Sequence, residues 1–263
     1  VLLFLSAFPA QAAPSGPVSL DGRPGLLTMA VPVGTATRLI TGSVRHGIAE
    51  GDVSIRGRTI RETKHETWIS AAARLHPHVL FIATHLASSR DTSPTTVGID
   101  GDAGITAGGV HIEVPEKSLA FGGSYTQLTA GDMGRIDLSQ LEHLRHVYVT
   151  VSDELARNLR GYLQLKEAFS QEYTAVYPDG RQIRVPLKRV VIGTVGAMRR
   201  FRTGLTLFGE TQMFDDEDFL YYGDDHYSVN AGCRLQYSRF SAELSARSLN
   251  RTPTWYFGFS AAH

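Results

Sequence analysis

The chain lacks most of the features that cross-link a protein or tether it through a helix. It has one cysteine in 263 residues, which excludes an intramolecular disulfide and any Cys-rich zinc site. No internal apolar run approaches the roughly 20 residues that a transmembrane helix needs. The formal net charge is zero, so the basic footprint of a nucleic-acid binder is missing and no nucleic-acid partner is expected. Lysine is scarce, and arginine supplies most of the positive charge. No spacing specifies a cofactor or metal site, and none is expected.

What is present is alternation. From Tyr227 to Phe259 the apolar residues Tyr227, Val229, Ala231, Cys233, Leu235 and Tyr237 alternate with Ser228, Asn230, Gly232, Arg234 and Gln236. After a turn at Ser238–Arg239, Phe240, Ala242, Leu244 and Ala246 alternate with Ser241, Glu243, Ser245 and Arg247. Trp255, Phe257 and Phe259 close the series. A period of two is the mark of a β-strand with one apolar and one polar face. Cys233 falls on the apolar face, where a thiol behaves as a small hydrophobe.

Taken in order, the chain opens with the apolar stretch Val1–Phe8 and then Ala10-Gln11-Ala12, the form of an h-region with a cleavage site. Residues 1–13 are expected to be a residual signal peptide, 14–35 an irregular periplasmic lead-in, and 36–263 a β-barrel. Strands are expected near 36–47, 68–75, 79–88, 103–113, 119–128, 146–151, 159–169, 190–198 and 201–213, ahead of the final three. Polar connections at 51–64, 89–101, 129–142, 170–186 and 214–225 alternate with short turns, the fourth of them at Arg199–Arg200. Residues 51–64 are expected to be a loop or projecting hairpin, and 137–144 a helical turn. The fold class is therefore all-β, a single antiparallel transmembrane barrel of about 12 strands. Short turns face the periplasm and longer loops face outward, which places the chain in a bacterial outer membrane. Glycines in the fourth and fifth strands (Gly104, Gly108, Gly109, Gly122, Gly123) are expected to mark bends or bulges.

Alternation alone does not say which face meets oil, because a soluble barrel places its apolar face inside. The apolar parity of the last strands carries no charge, and a basic residue at the lipid midplane would cost roughly 2–4 kcal/mol. The opposite parity supplies a candidate lumen lining of His146, Tyr148, Arg160, Gln164, Lys166, Arg202, Glu210, Arg234, Glu243 and Arg247. Candidate girdle residues at the lipid boundary are Phe201, Tyr227, Tyr237, Phe240, Trp255, Phe257 and Phe259. Two uses of the charged set stay open. Arg202, Arg234 and Arg247 pair with Glu210 and Glu243 across neighbouring strands, or they give the lumen a weak anion preference.

Catalytic candidates are weak. His46, His65 and His226 with Ser89, Ser93 and Asp225 lie toward the outer loops, but no spacing defines a triad, so no catalytic residue is assigned. His76 and His78 flank a turn proline, and the acidic loop 214–225 is rich in carboxylates, without a recognised metal-ligand spacing.

The mature chain resembles bacterial outer-membrane β-barrel proteins, on strand–turn–strand segments such as Trp68–Ser88 and Ile105–Thr126. That resemblance implies outer-membrane lipid, lipopolysaccharide and the barrel-insertion machinery as partners. The assembly signal of that class ends on an aromatic residue, whereas here Ser260–His263 follow Phe259. Gly25-Leu26-Leu27-Thr28-Met29 is similar to the lead-in of YjbH-type proteins associated with exopolysaccharide export. There a Pro-Thr-Ala-like turn follows, where this chain has Ala30-Val31-Pro32. The expected function is a narrow polar pore or structural envelope protein, with a link to polysaccharide export implied by that resemblance. The alternatives are an outer-membrane hydrolase acting on lipid or peptide, and a secreted soluble barrel that binds a small apolar ligand.

Overall fold

The computed structural model describes residues 40–55, 58–93, 101–130, 144–170, 173–176, 182–185, 189–214, 227–249 and 252–262. The signal segment, the lead-in with Gly25–Met29, the helical turn expected before Leu144, and all but Phe214 of the acidic loop lie outside these residues.

Among the described residues fourteen strands follow one another. They are β1 (Ile40–Ile55), β2 (Arg58–His76), β3 (Val79–Ser93), β4 (Gly101–Val114), β5 (Leu119–Ala130), β6 (Leu144–Ala156), β7 (Leu159–Ser170), β8 (Tyr173–Val176), β9 (Gln182–Val185), β10 (Val190–Arg200), β11 (Leu205–Phe214), β12 (Tyr227–Tyr237), β13 (Phe240–Leu249) and β14 (Thr252–Ala262). Twelve of them form a closed antiparallel barrel, and β8 and β9 pair separately in the connection between β7 and β10. Closure joins β1 to β14, from Thr41 opposite Ala262 to Ala49 opposite Thr254. A closed sheet leaves no edge with unpaired backbone groups, the requirement for a sheet that stands in lipid.

One end of the barrel has only tight turns. Asn158 and Ser238 take positive φ there, as the hairpin turns that suit twisted strands demand. A single 3-10 turn, Pro115–Lys117, links β4 to β5. Ile40 and Ala262 lie at this same end, since twelve antiparallel strands return the chain to its starting side.

Several boundaries differ from the sequence reading. β1 and β2 run past their expected ends, so that 51–64 takes the hairpin form of the two expected, in register to Ile55 opposite Arg58. Backbone hydrogen bonds propagate the ladder there whatever the side chains are. The exposed Arg61–Glu50 ion pair at 2.7 Å supports the projecting arm. β3 likewise runs past Ser89 to Ser93, and 170–186 holds the β8–β9 hairpin. The turn expected at Arg199–Arg200 lies at 201–204 instead. Phe201 and Thr203 carry on the alternation and disguise the turn, but Gly204 at φ 82° closes it. A Cβ there would lie 2.5 Å from the Gln236 carbonyl.

The outer face is apolar on most strands. Val147, Val149 and Val151 on β6, Leu163 and Leu165 on β7, Val195 on β10, Leu207 on β11, Leu235 on β12, Leu244 on β13 and Phe257 on β14 are all exposed. A water-soluble protein seldom shows so much contiguous apolar surface. Strands of ten or eleven residues in β10–β14 suit an apolar band roughly 25 Å tall. The interior parity holds the buried polar residues, among them Ser228, Asn230, Glu210, Gln212, Gln164 and Thr194.

Candidate functional site

The interior is built from rows of side chains that the strand register brings level. In one row Arg234 on β12 stands opposite Glu243 on β13, Glu243 opposite Gly258 on β14, and Gly258 opposite Arg45 on β1. Gly258 has no side chain, so Arg45 crosses over it. A Cβ at Gly258 would lie 2.7 Å from the Arg45 Cγ. Arg45 Nε donates to Glu243 Oε1 at 3.2 Å and its Nη2 to Oε2 at 3.3 Å. Arg234 Nε donates to Glu243 Oε2 at 3.0 Å, and the Ser245 hydroxyl donates to Oε1 at 3.1 Å. One carboxylate thus receives two guanidinium groups, all three side chains being nearly inaccessible to water. Such a network repays desolvation only while its acceptor is kept.

The same device recurs. Tyr256 on β14 stands opposite Gly47 on β1, which stands opposite Glu66 on β2. A Cβ on Gly47 would lie 2.5 Å from the Tyr256 ring. The Tyr256 hydroxyl passes over the glycine to donate to Glu66 Oε2 at 2.7 Å. Trp68 Nε1 donates to the same oxygen at 3.2 Å, and Lys64 pairs with the other. On the far side Gly122 lies between His111 and Tyr148. The Tyr148 hydroxyl and His111 Nδ1 share a hydrogen bond of 2.6 Å across it. His111 Nε2 meets Glu113 Oε1 at 3.2 Å, and Glu113 accepts from Arg74 at 3.5 Å. Phe208 lies over Gly232, with the Arg234 guanidinium 5.4 Å from its ring centre. Gly122 was expected at a bend; its place in the register shows that it makes room for a side chain from the next strand.

The sequence-predicted lining residues fall as follows. Tyr148, Gln164, Glu210, Arg234 and Glu243 are buried on the interior parity. Gln164 donates to Thr150 at 2.9 Å, and Asn230 to Glu210 at 2.9 Å. His146, Lys166 and Arg247 are half-buried on that parity, and Arg160 stands at its short-turn end. Arg202 does not join them, because it lies exposed in the turn 201–204. Glu210 therefore has Asn230 as its neighbour rather than an arginine turned in from position 202. Sequence reasoning missed Arg45, Glu66, Arg74, His111 and Glu113. They lie on β1, β2 and β4, where small residues such as Gly42, Gly47, Ala71, Ala72, Ala73, Gly108 and Gly109 blur the alternation.

Phe201, Tyr237, Phe240 and Phe259 are exposed near the short-turn end, Tyr227 and Trp255 toward the other end, and Phe257 between them. His46 and His65 lie on the outer side of β1 and β2 with ring centres 5.7 Å apart. His46 Nδ1 meets Thr67 Oγ1 at 3.0 Å. Ser89 stands opposite His65 in the ladder, whereas His226 and Asp225 lie outside the described residues. His76 and His78 have ring centres 5.5 Å apart. Among the described residues no group of three or more His, Cys, Asp or Glu is placed to hold a metal ion.

A cavity of about 310 Å³ opens at the short-turn end between β6, β7 and β10. Arg160, Tyr162, Met198 and Arg200 are among the residues that line it.

No protein-family model matches the chain, and no curated protein matches it in sequence. Its fold does match solved structures. The COG4313 outer-membrane channel from Pseudomonas putida F1 aligns with a TM-score of 0.63 at 9% identity, over 88% of this chain and 96% of that one. The translocator domain of the autotransporter NalP from Neisseria meningitidis aligns with a TM-score of 0.54 at 9% identity, over 88% and 90%. The β-domain of the Bordetella autotransporter BrkA aligns with a TM-score of 0.50 at 9% identity, over 86% and 100%. The chain has the fold of an outer-membrane β-barrel.

Proposed function

We propose that this barrel stands in a bacterial outer membrane and forms a narrow polar pore. The observation that carries the reading is the contrast between its two faces. Buried polar and charged rows line the interior of a closed wall whose exterior is largely apolar. His146, Tyr148, Arg160, Gln164, Lys166, Glu210, Arg234, Glu243 and Arg247 line the lumen. Phe201, Tyr227, Tyr237, Phe240, Trp255, Phe257 and Phe259 meet lipid, most of them at its two boundaries. The Arg45–Glu243–Arg234 bridge and the Tyr256–Glu66 clasp run along the inner wall, each over the glycine of an intervening strand, and fill lumen space there. The COG4313 neighbour, itself an outer-membrane channel by its description, is compatible with a pore. Outer-membrane lipid, lipopolysaccharide and the insertion machinery are the partners such a barrel requires. A role in polysaccharide export is the narrower form of this reading and rests on Gly25–Met29 alone.

The test is single-channel recording of the refolded full chain in planar bilayers. Small, discrete steps are expected. A heat-modifiable, fully folded barrel without conductance would overturn the pore and leave a structural envelope protein.

A further inference from the structure

The interior arginines differ in what they face. Arg45 and Arg234 share Glu243, and Arg74 reaches Glu113. Arg160 and Arg200 line the cavity at the short-turn mouth, and among the described residues neither side chain has a carboxylate within ion-pair distance. They lie close together. Arg160 on β7 stands opposite Met198 on β10, and Arg200 follows Met198 on the same parity. Two guanidinium groups at one concave surface, Arg160 exposed and Arg200 half-buried, repel one another, and an anion between them relieves that repulsion.

The rest of the lining has a definite chemistry. Tyr162 is buried at 4% exposure, and its hydroxyl has no hydrogen bond among the described residues. It therefore remains available as a donor. Leu159 and Met198 supply an apolar wall. Glu154 also lines the cavity and is the ladder partner of Arg160. A bulge between Glu154 and Ala156 disturbs the ladder there, and no ion pair joins the two side chains among the described residues. Two arginines against one glutamate leave the lining net positive. The volume is at the small end for ligand pockets, which start near roughly 300 Å³.

We infer that this mouth is a binding site for a small organic carboxylate, with Arg160 and Arg200 holding the charged end, Tyr162 donating to it, and Leu159 and Met198 covering its apolar body. A planar carboxylate suits the guanidinium fork, and the charge-assisted bonds so formed are the strong class. The inference deepens the pore reading and rests on it for the mouth's access to the aqueous side.

The experiment titrates benzoate into the full-length barrel in detergent, with benzamide as the neutral isostere and heat-modifiable mobility as the check of folding. Benzoate is expected to bind and benzamide not. R160Q/R200Q should lose at least about tenfold in affinity, the loss of one or two charge-assisted bonds, and R160K/R200K should keep part of it. Absence of benzoate binding, equal binding of benzamide, or unchanged affinity in folded R160Q/R200Q would each overturn the site. Bilayer recording separates the two readings. A barrel that binds benzoate but does not conduct keeps the site and loses the pore, and one that conducts without binding does the reverse.

Discussion

The wall formed by β11–β14 and the wall formed by β2–β4 solve the same problem with different mixtures of side chains. On β11–β14 the outside is large and apolar, with Leu207, Leu235, Leu244 and Phe257, while the inside carries Glu210, Arg234, Glu243 and Ser245. On β2–β4 the outside carries Ile69 and Phe81 around a small patch of Ala71, Ala83 and Gly108 level with one another, together with His85 and Thr106. The inside there holds Ala72, Leu80 and Ile82 as a packed apolar cluster. A barrel interior thus need not be polar all round. The β11–β14 side is held by ion pairs and hydrogen bonds, whereas the β2–β4 side adds a packed apolar cluster to its Arg74–Glu113 pair. The polar groups outside are made tolerable by bonding one another, as His85 Nδ1 and Thr106 Oγ1 do at 3.0 Å, since an unpaired polar group in lipid costs several kcal/mol.

The largest test of that contrast removes the shared acceptor. Glu243→Ala leaves Arg45 and Arg234 facing one another, and urea unfolding of the refolded barrel should show a loss of about 3–5 kcal/mol. Glu116→Ala, at an exposed position in the 3-10 turn, should stay within about 0.5 kcal/mol. Next in size, Leu244→Arg on the outer face should cost roughly 2–4 kcal/mol and reduce insertion into vesicles. Equal folding yields for Leu244→Arg and the interior Ser245→Arg would break the assignment of faces.

Glycines give a finer comparison. Gly47→Ala drives a methyl group into the Tyr256 ring, and overpacking of this kind costs about 1–3 kcal/mol. A Cβ at Gly108 meets nothing within 4 Å, so Gly108→Ala should be neutral or stabilise by up to about 1 kcal/mol. Equal melting shifts for the two would remove the distinction between spacer glycines and open ones. The smallest effect is Thr106→Val, which deletes the His85 partner on the outer wall and should cost about 0.5–1.5 kcal/mol. A stabilising result would mean that the outer histidine is satisfied by something other than its neighbour.

The two walls also differ in how well they can be read from the chain. In β12 and β13 apolar and polar residues alternate from Tyr227 to Tyr237 and again from Phe240 to Arg247, so the strands, the turn at Ser238–Arg239 and the inward-facing Arg234 and Glu243 are all legible. In β2–β4 both faces carry aliphatic residues, and Ala and Gly supply little contrast. Arg74, His111 and Glu113 were therefore not recognised as an inward set. The turn after β10 was misplaced for the opposite reason. Phe201 and Thr203 sustain a false parity, which carries Arg202 into the expected lining, although the strand ends at Arg200 and the left-handed backbone at Gly204 closes the turn.

What the chain determined alone was the class of fold and the division of its strands into two faces, because a period of two in hydrophobicity depends only on adjacent residues. Which side chains meet was decided by tertiary structure. Arg45 and Glu243 are 198 positions apart, and Tyr256 and Glu66 are 190 apart. They become neighbours only when β14 pairs with β1 and the backbone ladder sets them level. A shift of one residue in that closing register would turn either the β1 or the β14 side chains to the opposite face. The glycines beneath Arg45, Tyr256 and Tyr148 acquire their use in the same way, since strands lie only about 4.8 Å apart and a long side chain can cross to the second strand only where the one between has nothing to place in its path.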